Sequence, residues 1–238
     1  MTSIESILDR QLRRWELDRA LHSKASARDE PRPRLQPVIT VSRQRGAGGT
    51  TLAEKLAERF DYTLLHRDVI DRICQSTGLK HRIIESLDEH AKSQLSIWFE
   101  SMLAGRYVDA GDYVKHLLEV IYSISQLGGV VVVGRGANFI LGPERGFHIR
   151  VVAPRDARVR GLVEREKLSE RDALRQIETS DHQRAEFVRK VLGRDIDDPL
   201  GYDLVVNSAT IPLETAADLV VRAAREKFEK LRAGARAR

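Results

Sequence analysis

Four consecutive valines, Val130–Val133, follow a glycine pair and are themselves followed by glycine, the clearest of five short β-branched runs in the chain. The others are Val38–Val41, Tyr62–Leu65, Phe147–Val152 and Tyr202–Val206. Short and nearly continuous apolar runs are the pattern of strands buried on both faces. Stretches of helical spacing separate them. One brings Leu52, Ala53, Leu56, Ala57 and Phe60 to a single face; the closing one does so for Leu213, Ala216, Ala217, Val220, Ala224, Phe228 and Leu231. The alternation predicts an α/β fold with a five-stranded parallel sheet and helices on both faces. Two intervals are too long for plain crossovers. One is 66–129, mostly helical in pattern, and the other is the stretch of about fifty residues between the fourth and fifth strands.

The ends read differently from the core. Ile4, Ile7, Leu8, Leu12 and Trp15 make residues 4–21 an amphipathic helix, and 24–37, with three prolines, a linker. A lone helix of that length is marginal in water, so its stripe docks on its own domain or on a second copy in a homodimer. Residues 1–36 carry a net charge of +2 and the tail 231–238 a net +3, with Arg232, Arg236 and Arg238, so the +5 of the whole chain leaves a core near zero. That distribution favours a solvated, frayed tail over a nucleic-acid arm. No apolar run reaches the ~20 residues of a membrane span, and the first twenty residues lack the apolar centre of a secretory signal. With one cysteine, Cys74, there is no internal disulfide, and a cytoplasmic location is expected.

Between the first strand and its helix lies Ser42-Arg43-Gln44-Arg45-Gly46-Ala47-Gly48-Gly49-Thr50-Thr51. Glycines at that place let backbone N–H groups converge on an anion, and the helix start adds its positive end. Against G-x-x-x-x-G-K-[ST] the match is partial. Gly48 takes the second glycine position and Thr50 the magnesium-ligand hydroxyl, but Arg43 replaces the first glycine and Gly49 the lysine. A tight turn that merely needs glycine has the same composition. Arg43 and Arg45 tip the balance to phosphate binding, because either can replace the missing cation.

The segments SRQRGAGGTTLAEKLAERF, VVVGRGANFIL, HIRVVAP, DHQR and YDLVVNSA, in that order and spacing, resemble the cytidylate-kinase-like family from about Val38 to Phe228. The resemblance implies a phosphate-loop NTPase-type fold, with a substrate-binding insert at about 66–129 and a mobile lid at about 155–200. It divides the chain into an arm and linker at 1–36, a kinase-like domain at 37–230 and the tail. It further implies that Gly46, Ala47, Gly48, Gly49, Thr50 and Thr51 cradle the phosphates of ATP, with Thr50 on Mg²⁺. Arg135 corresponds to the arginine of a D-G-R-D segment in true cytidylate kinases, although Val133 and Gly136 stand where the acids would be. Asp181 and Arg184 match a D-x-x-R pair that resembles a cytosine- and sugar-phosphate-binding element. Arg72 takes the place of a phosphate-binding arginine, and Arg158 and Arg184 that of lid cations acting on the transferring group. The partners implied are nucleotide substrates.

Other residues carry two readings. Asp68, after the second strand, is a magnesium ligand or the cap of a helix starting at Val69. Arg155, Arg160, Arg165, Arg189 and Arg194 are mostly solvated helix charges. His66, His116, His148 and His182 lack metal-ligand spacing. Trp98, Phe99, Met102 and Leu103 pack the insert. The expected activity is ATP- and Mg²⁺-dependent phosphoryl transfer to a nucleoside monophosphate, CMP or dCMP first. The alternatives are a kinase of the same fold with another small acceptor, and a catalytically silent nucleotide-binding regulatory module.

Overall fold

The computed structural model describes residues 4–25, 37–87, 89–106 and 111–236. Most of the linker expected at 24–37 and the end of the basic tail lie outside these residues, as do the side chains of Met102 and Leu103. The chain divides into two bodies, one of Met1–Gln36 with Arg67–Gly129 and one of Pro37–His66 with Val130–Arg238.

The second body holds the sheet. Its strands are β1 (Ile39–Arg43), β2 (Thr63–Leu65), β3 (Val130–Val133), β4 (Phe147–Val152) and β5 (Leu204–Asn207), all parallel, in the order β2-β3-β1-β4-β5. The fold is the expected five-stranded parallel sheet with helices on both faces. Central β1 pairs with β3 on one side and β4 on the other, with Val41 opposite both Val133 and Ile149. The chain leaves β1 towards β3 and β2 and later adds β4 and β5 on the opposite side, so the carboxyl end of β1 is a topological switch point.

Two of the strand ends that differ from the sequence reading bear on the site. β1 continues through Arg43, which pairs with Val151, and the Gln44 amide bonds the Val151 carbonyl at 3.0 Å. Arg43 is therefore a sheet residue with a fixed direction rather than part of the loop. β5 starts at Leu204 because Asp198 caps a 3₁₀ turn at Pro199–Gly201 and the Tyr202 hydroxyl donates to the Ile196 carbonyl at 2.8 Å.

The helix that follows β1, α2 (Gly49–Phe60), buries Leu52, Ala53, Leu56 and Ala57 against the sheet core, where Ala216, Ala217, Val220, Ala224 and Phe228 of the closing helix also sit. The expected lid is a pair of helices, Arg155–Glu166 and Glu170–Leu192, with Leu162, Ala173 and Ile177 as its own small core. The second of these is fully capped, by Ser169 at its start and by Gly193 in the left-handed conformation at its end. The closing helix runs from Leu213 to Arg236, so residues 231–236 continue a helix instead of fraying.

The other body is helical. Its first helix, Ile4–Ala25, buries Leu8, Leu12 and Trp15, and the Trp15 indole donates to the Gly128 carbonyl at 2.9 Å. Asp9 pairs with Arg82 at 2.9 Å. The stripe expected to dock is thus covered by the chain itself. In the insert Trp98 stacks on Tyr122 at 4.5 Å beside Leu87 and Leu95, as its packing role requires.

His148 of β4 lies in the core. Its Nε2–H donates to the Gly142 carbonyl and its Nδ1 accepts the Thr40 hydroxyl, both at 2.8 Å, which defines one neutral tautomer. Burial lowers its pKa from 6.5 to about 4. The unfolded chain takes up a proton below about pH 6.5 while the folded protein resists it until about 4. Folding stability is therefore full above that window and falls as the pH drops through it, by about 3 kcal/mol in all. Urea midpoints measured across pH 4–7 should show this fall, and His148→Asn should flatten it; an unchanged slope would exclude His148 as its source.

Candidate phosphate-binding site

The loop closes on the start of α2. Gly48 is the cap residue at φ 77°, in the left-handed region that glycine tolerates, and it offers no side chain to the helix amides. Gln44 and Arg45 use their amides elsewhere, on the Val151 carbonyl and on Asp181. Among the described residues nothing accepts from the amides of Gly46, Gly48, Gly49, Thr50 or Thr51. The first turn of α2 carries no acid. Unpaired amides and the positive end of a helix are the features that suit an anion, which makes the loop a candidate site.

A hollow of about 200 Å³ opens there, lined by the loop, Thr50, Thr51, Leu162, Arg165, Glu166 and Arg184. Of the six expected loop residues, all except Ala47 line it. Ala47 is buried, with its carbonyl accepting from Ser208 at 2.7 Å.

The two lid helices reach the loop through charged side chains. Arg165 donates to the Gly46 carbonyl at 2.9 Å and Arg184 to the Arg43 carbonyl at 2.9 Å. Arg45 turns its guanidinium to Glu166 at 2.5 Å and Gln176 at 2.7 Å. Asp181 accepts the Arg45 amide at 2.8 Å and the Arg158 guanidinium, with Arg184 at 3.5 Å. The Asp181 carboxylate thus occupies a point where three donors converge, as an anion would. Arg158 is nine-tenths buried, and its Nε has no hydrogen-bond partner among the described residues.

Arg165 is exposed, like Arg160, Arg189 and Arg194, but unlike a purely solvated charge it also donates to the loop. The cations nearest the loop do not repel one another unchecked, because Asp181 and Glu166 sit among them. Arg135 stands beyond β3 at φ 56°, between two glycines that are also left-handed, and lies 5.5 Å over the Phe187 ring of the lid. A non-glycine residue held there is strained, a feature that clusters at binding sites. Arg72 and Asp68 belong to the helical body. Arg72 is half exposed and 4.0 Å from Glu5. Asp68 lies inside the helix Arg67–Gln75, 3.3 Å from Arg67, so it is not that helix's cap.

Sequence reasoning missed the support behind the loop. Arg150 of β4 is buried, donates to Ser42 at 2.9 Å and Asp197 at 2.5 Å, and lies over the Tyr202 ring. Burial raises the Tyr202 pKa, and its hydroxyl reaches Ser42 at 3.3 Å. A lone arginine within an apolar strand run is the signal that could have exposed this network, since such a charge needs partners.

The model of the cytidylate kinase-like family matches residues 38–210. The chain belongs to that family. A cytidylate kinase of Staphylothermus marinus is 28% identical over 81% of this chain and 98% of its own length. One from Saccharolobus islandicus is 26% identical over 77% and 88%. An uncharacterized protein from Eubacterium ventriosum has the same fold, with a TM-score of 0.55 at 20% identity over 80% of this chain and 99% of its own.

Removing the Asp181 carboxylate would leave the buried Arg158 charge without its counter-ion. Asp181→Ala should cost about 2 kcal/mol in stability. Tripolyphosphate should raise the melting temperature of this variant more than that of the parent, because it restores the missing negative charge. Equal shifts in both proteins would show that Asp181 does not occupy the anion's place.

Proposed function

We propose that the protein transfers the γ-phosphoryl group of ATP to a small phosphate-bearing acceptor. The observation that supports this most is the hollow at the start of α2, where unpaired amides meet Arg43, Arg165 and Arg184. Such a site neutralises the charge that spreads over the transferring group's oxygens, which is most of what phosphoryl transfer asks of a protein. An ionised oxygen of the acceptor attacks the γ-phosphorus, the bond to the β-phosphate oxygen breaks, and ADP leaves. An acceptor phosphate is already ionised, so no general base is needed.

The residues fit a magnesium ion that arrives with ATP. The exposed Thr50 hydroxyl lines the hollow, and magnesium binds through few protein ligands, with phosphate oxygens and water completing its shell. The ion would offset negative charge on the phosphates. Among the described residues no group of three His, Cys, Asp or Glu could hold a metal, and Asp68 as a second ligand stands on the resemblance alone. Arg135, Arg184 and Asp181 would serve the acceptor, and Arg72 enters on the resemblance. Arg158, with its unpartnered Nε, would join the transferring group when a phosphate displaces Asp181.

The relatives named cytidylate kinase make CMP and dCMP the first acceptors to test. Val133 and Gly136, where acids flank the arginine in true cytidylate kinases, favour a different small acceptor of the same class. A silent nucleotide-binding module is the second reading, favoured by Gly49 in the lysine position.

ADP release should be followed with ATP, Mg²⁺ and a panel of nucleoside monophosphates and non-nucleotide phosphates. One acceptor should raise it well above the rate with water, and Thr50→Ala should lower that turnover at least tenfold while weakening the Mg²⁺ dependence. ATP binding without turnover on any acceptor would select the silent module.

A further inference from the structure

Resting on the kinase reading, we infer that Arg43 is the loop's catalytic cation and that Gly49 is glycine because Arg43 is there. The two departures from the ordinary loop are then one exchange. A Cβ built on Gly49 would lie 2.4 Å from the Arg43 Cβ and 2.9 Å from its Cγ. The first of these atoms is placed by the backbone, so no rotamer of Arg43 moves it away. The backbone itself is held by the pairing of Arg43 with Val151 and by the Gln44 amide bond that follows. Positions 43 and 49 therefore cannot both carry a side chain. An ordinary loop places glycine first and lysine second; this chain places arginine first and glycine second.

The Arg43 side chain runs on from Gly49 towards the tip of β3. A Cβ on Gly134 would meet its Nη1 at 2.6 Å, so a second glycine keeps the guanidinium's path open. The same side chain lines the hollow at the α2 start. Arg45, the other candidate, also lines the hollow, and its guanidinium holds Glu166 and Gln176 of the lid. Of the two, it is Arg43 whose side chain lies against Gly49.

The exchange is reversible by design. Arg43→Gly with Gly49→Lys writes G-Q-R-G-A-G-K-T, the full ordinary motif. Parent, Arg43→Ala, Gly49→Lys and the double variant should be compared by thermal melting, by calorimetric titration with ATP, and by ADP release with the best acceptor. Gly49→Lys alone should melt several degrees below the double variant. Arg43→Ala should lose turnover about 100-fold or more with ATP affinity within about tenfold, the mark of a contact made mainly in the transition state. The double variant should regain turnover to within about tenfold of the parent.

Three results would overturn the inference: an Arg43→Ala protein as active as the parent, a raised acceptor KM at unchanged kcat, or a Gly49→Lys protein as stable and active as the double variant. If the parent turns over no acceptor, the kinase reading fails by itself. The melts still decide whether the two positions exclude one another, and the ATP titrations decide whether either cation meets phosphate.

Discussion

The structure is organised around five backbone amides that have no acceptor among the described residues. They stand at the carboxyl end of the central strand, where sheet order reverses, and no helix cap or acidic side chain satisfies them. Unsatisfied donors at a helix start cost stability unless water or an anion meets them. The strands on either side supply the frame that holds them there: β1 and β4 remain paired through Arg43, so the loop springs from a fixed point. Ser42, just before it, is tied to the buried Arg150 and Tyr202.

The charges around those amides are arranged in two ranks. Arg165 and Arg184 bond loop carbonyls, which shapes the loop without using its donors. Asp181 bonds one loop amide and gathers Arg158 and Arg184. A carboxylate that holds three donors in position also competes with any phosphate that wants them. A phosphate bound at the loop would therefore compete for groups that fasten the helices Arg155–Glu166 and Glu170–Leu192 to it.

The sheet was legible because buried parallel strands leave short β-branched runs, and Val130–Val133 and Phe147–Val152 coincide with β3 and β4 to the residue. The two overlong intervals were legible for a similar reason: a helical insert and a helical lid each need more chain than a crossover. Strand ends were not. Arg43 looks like loop by composition, and only its pairing with Val151 makes it sheet. Tyr202 looks like strand by propensity, yet its hydroxyl is spent on the Ile196 carbonyl in a turn. In the loop, Gly46 and Gly48 could be read because the left-handed backbone there demands glycine. Arg165 and Arg150 could not, because a charged residue's partners come from distant parts of the chain. Arg165 sits among other helix charges with the same spacing as a solvated face, and nothing local distinguishes it.

A loop cation on the strand instead of the helix would differ in more than its address. A lysine at the first position of α2 rides on the helix and moves with its start. Arg43 is the last residue of the central strand, so its first side-chain atoms are as rigid as the sheet. Its planar head can grip two oxygens at once, where an ammonium is a point charge. It also runs along the sheet edge to Gly134, adjoining Arg135, instead of rising from the helix axis. Charge delivered from that side would lie nearer the tip of β3, where Val133 and Gly136 flank Gly134 and Arg135 without an acid. An acidic group beside Arg135 would compete with phosphate for Arg43. A neutral tip of β3 and a cation at the end of β1 are therefore physically consistent with each other, the cation adding to the positive end of α2 and to Arg165 and Arg184 of the neighbouring helices.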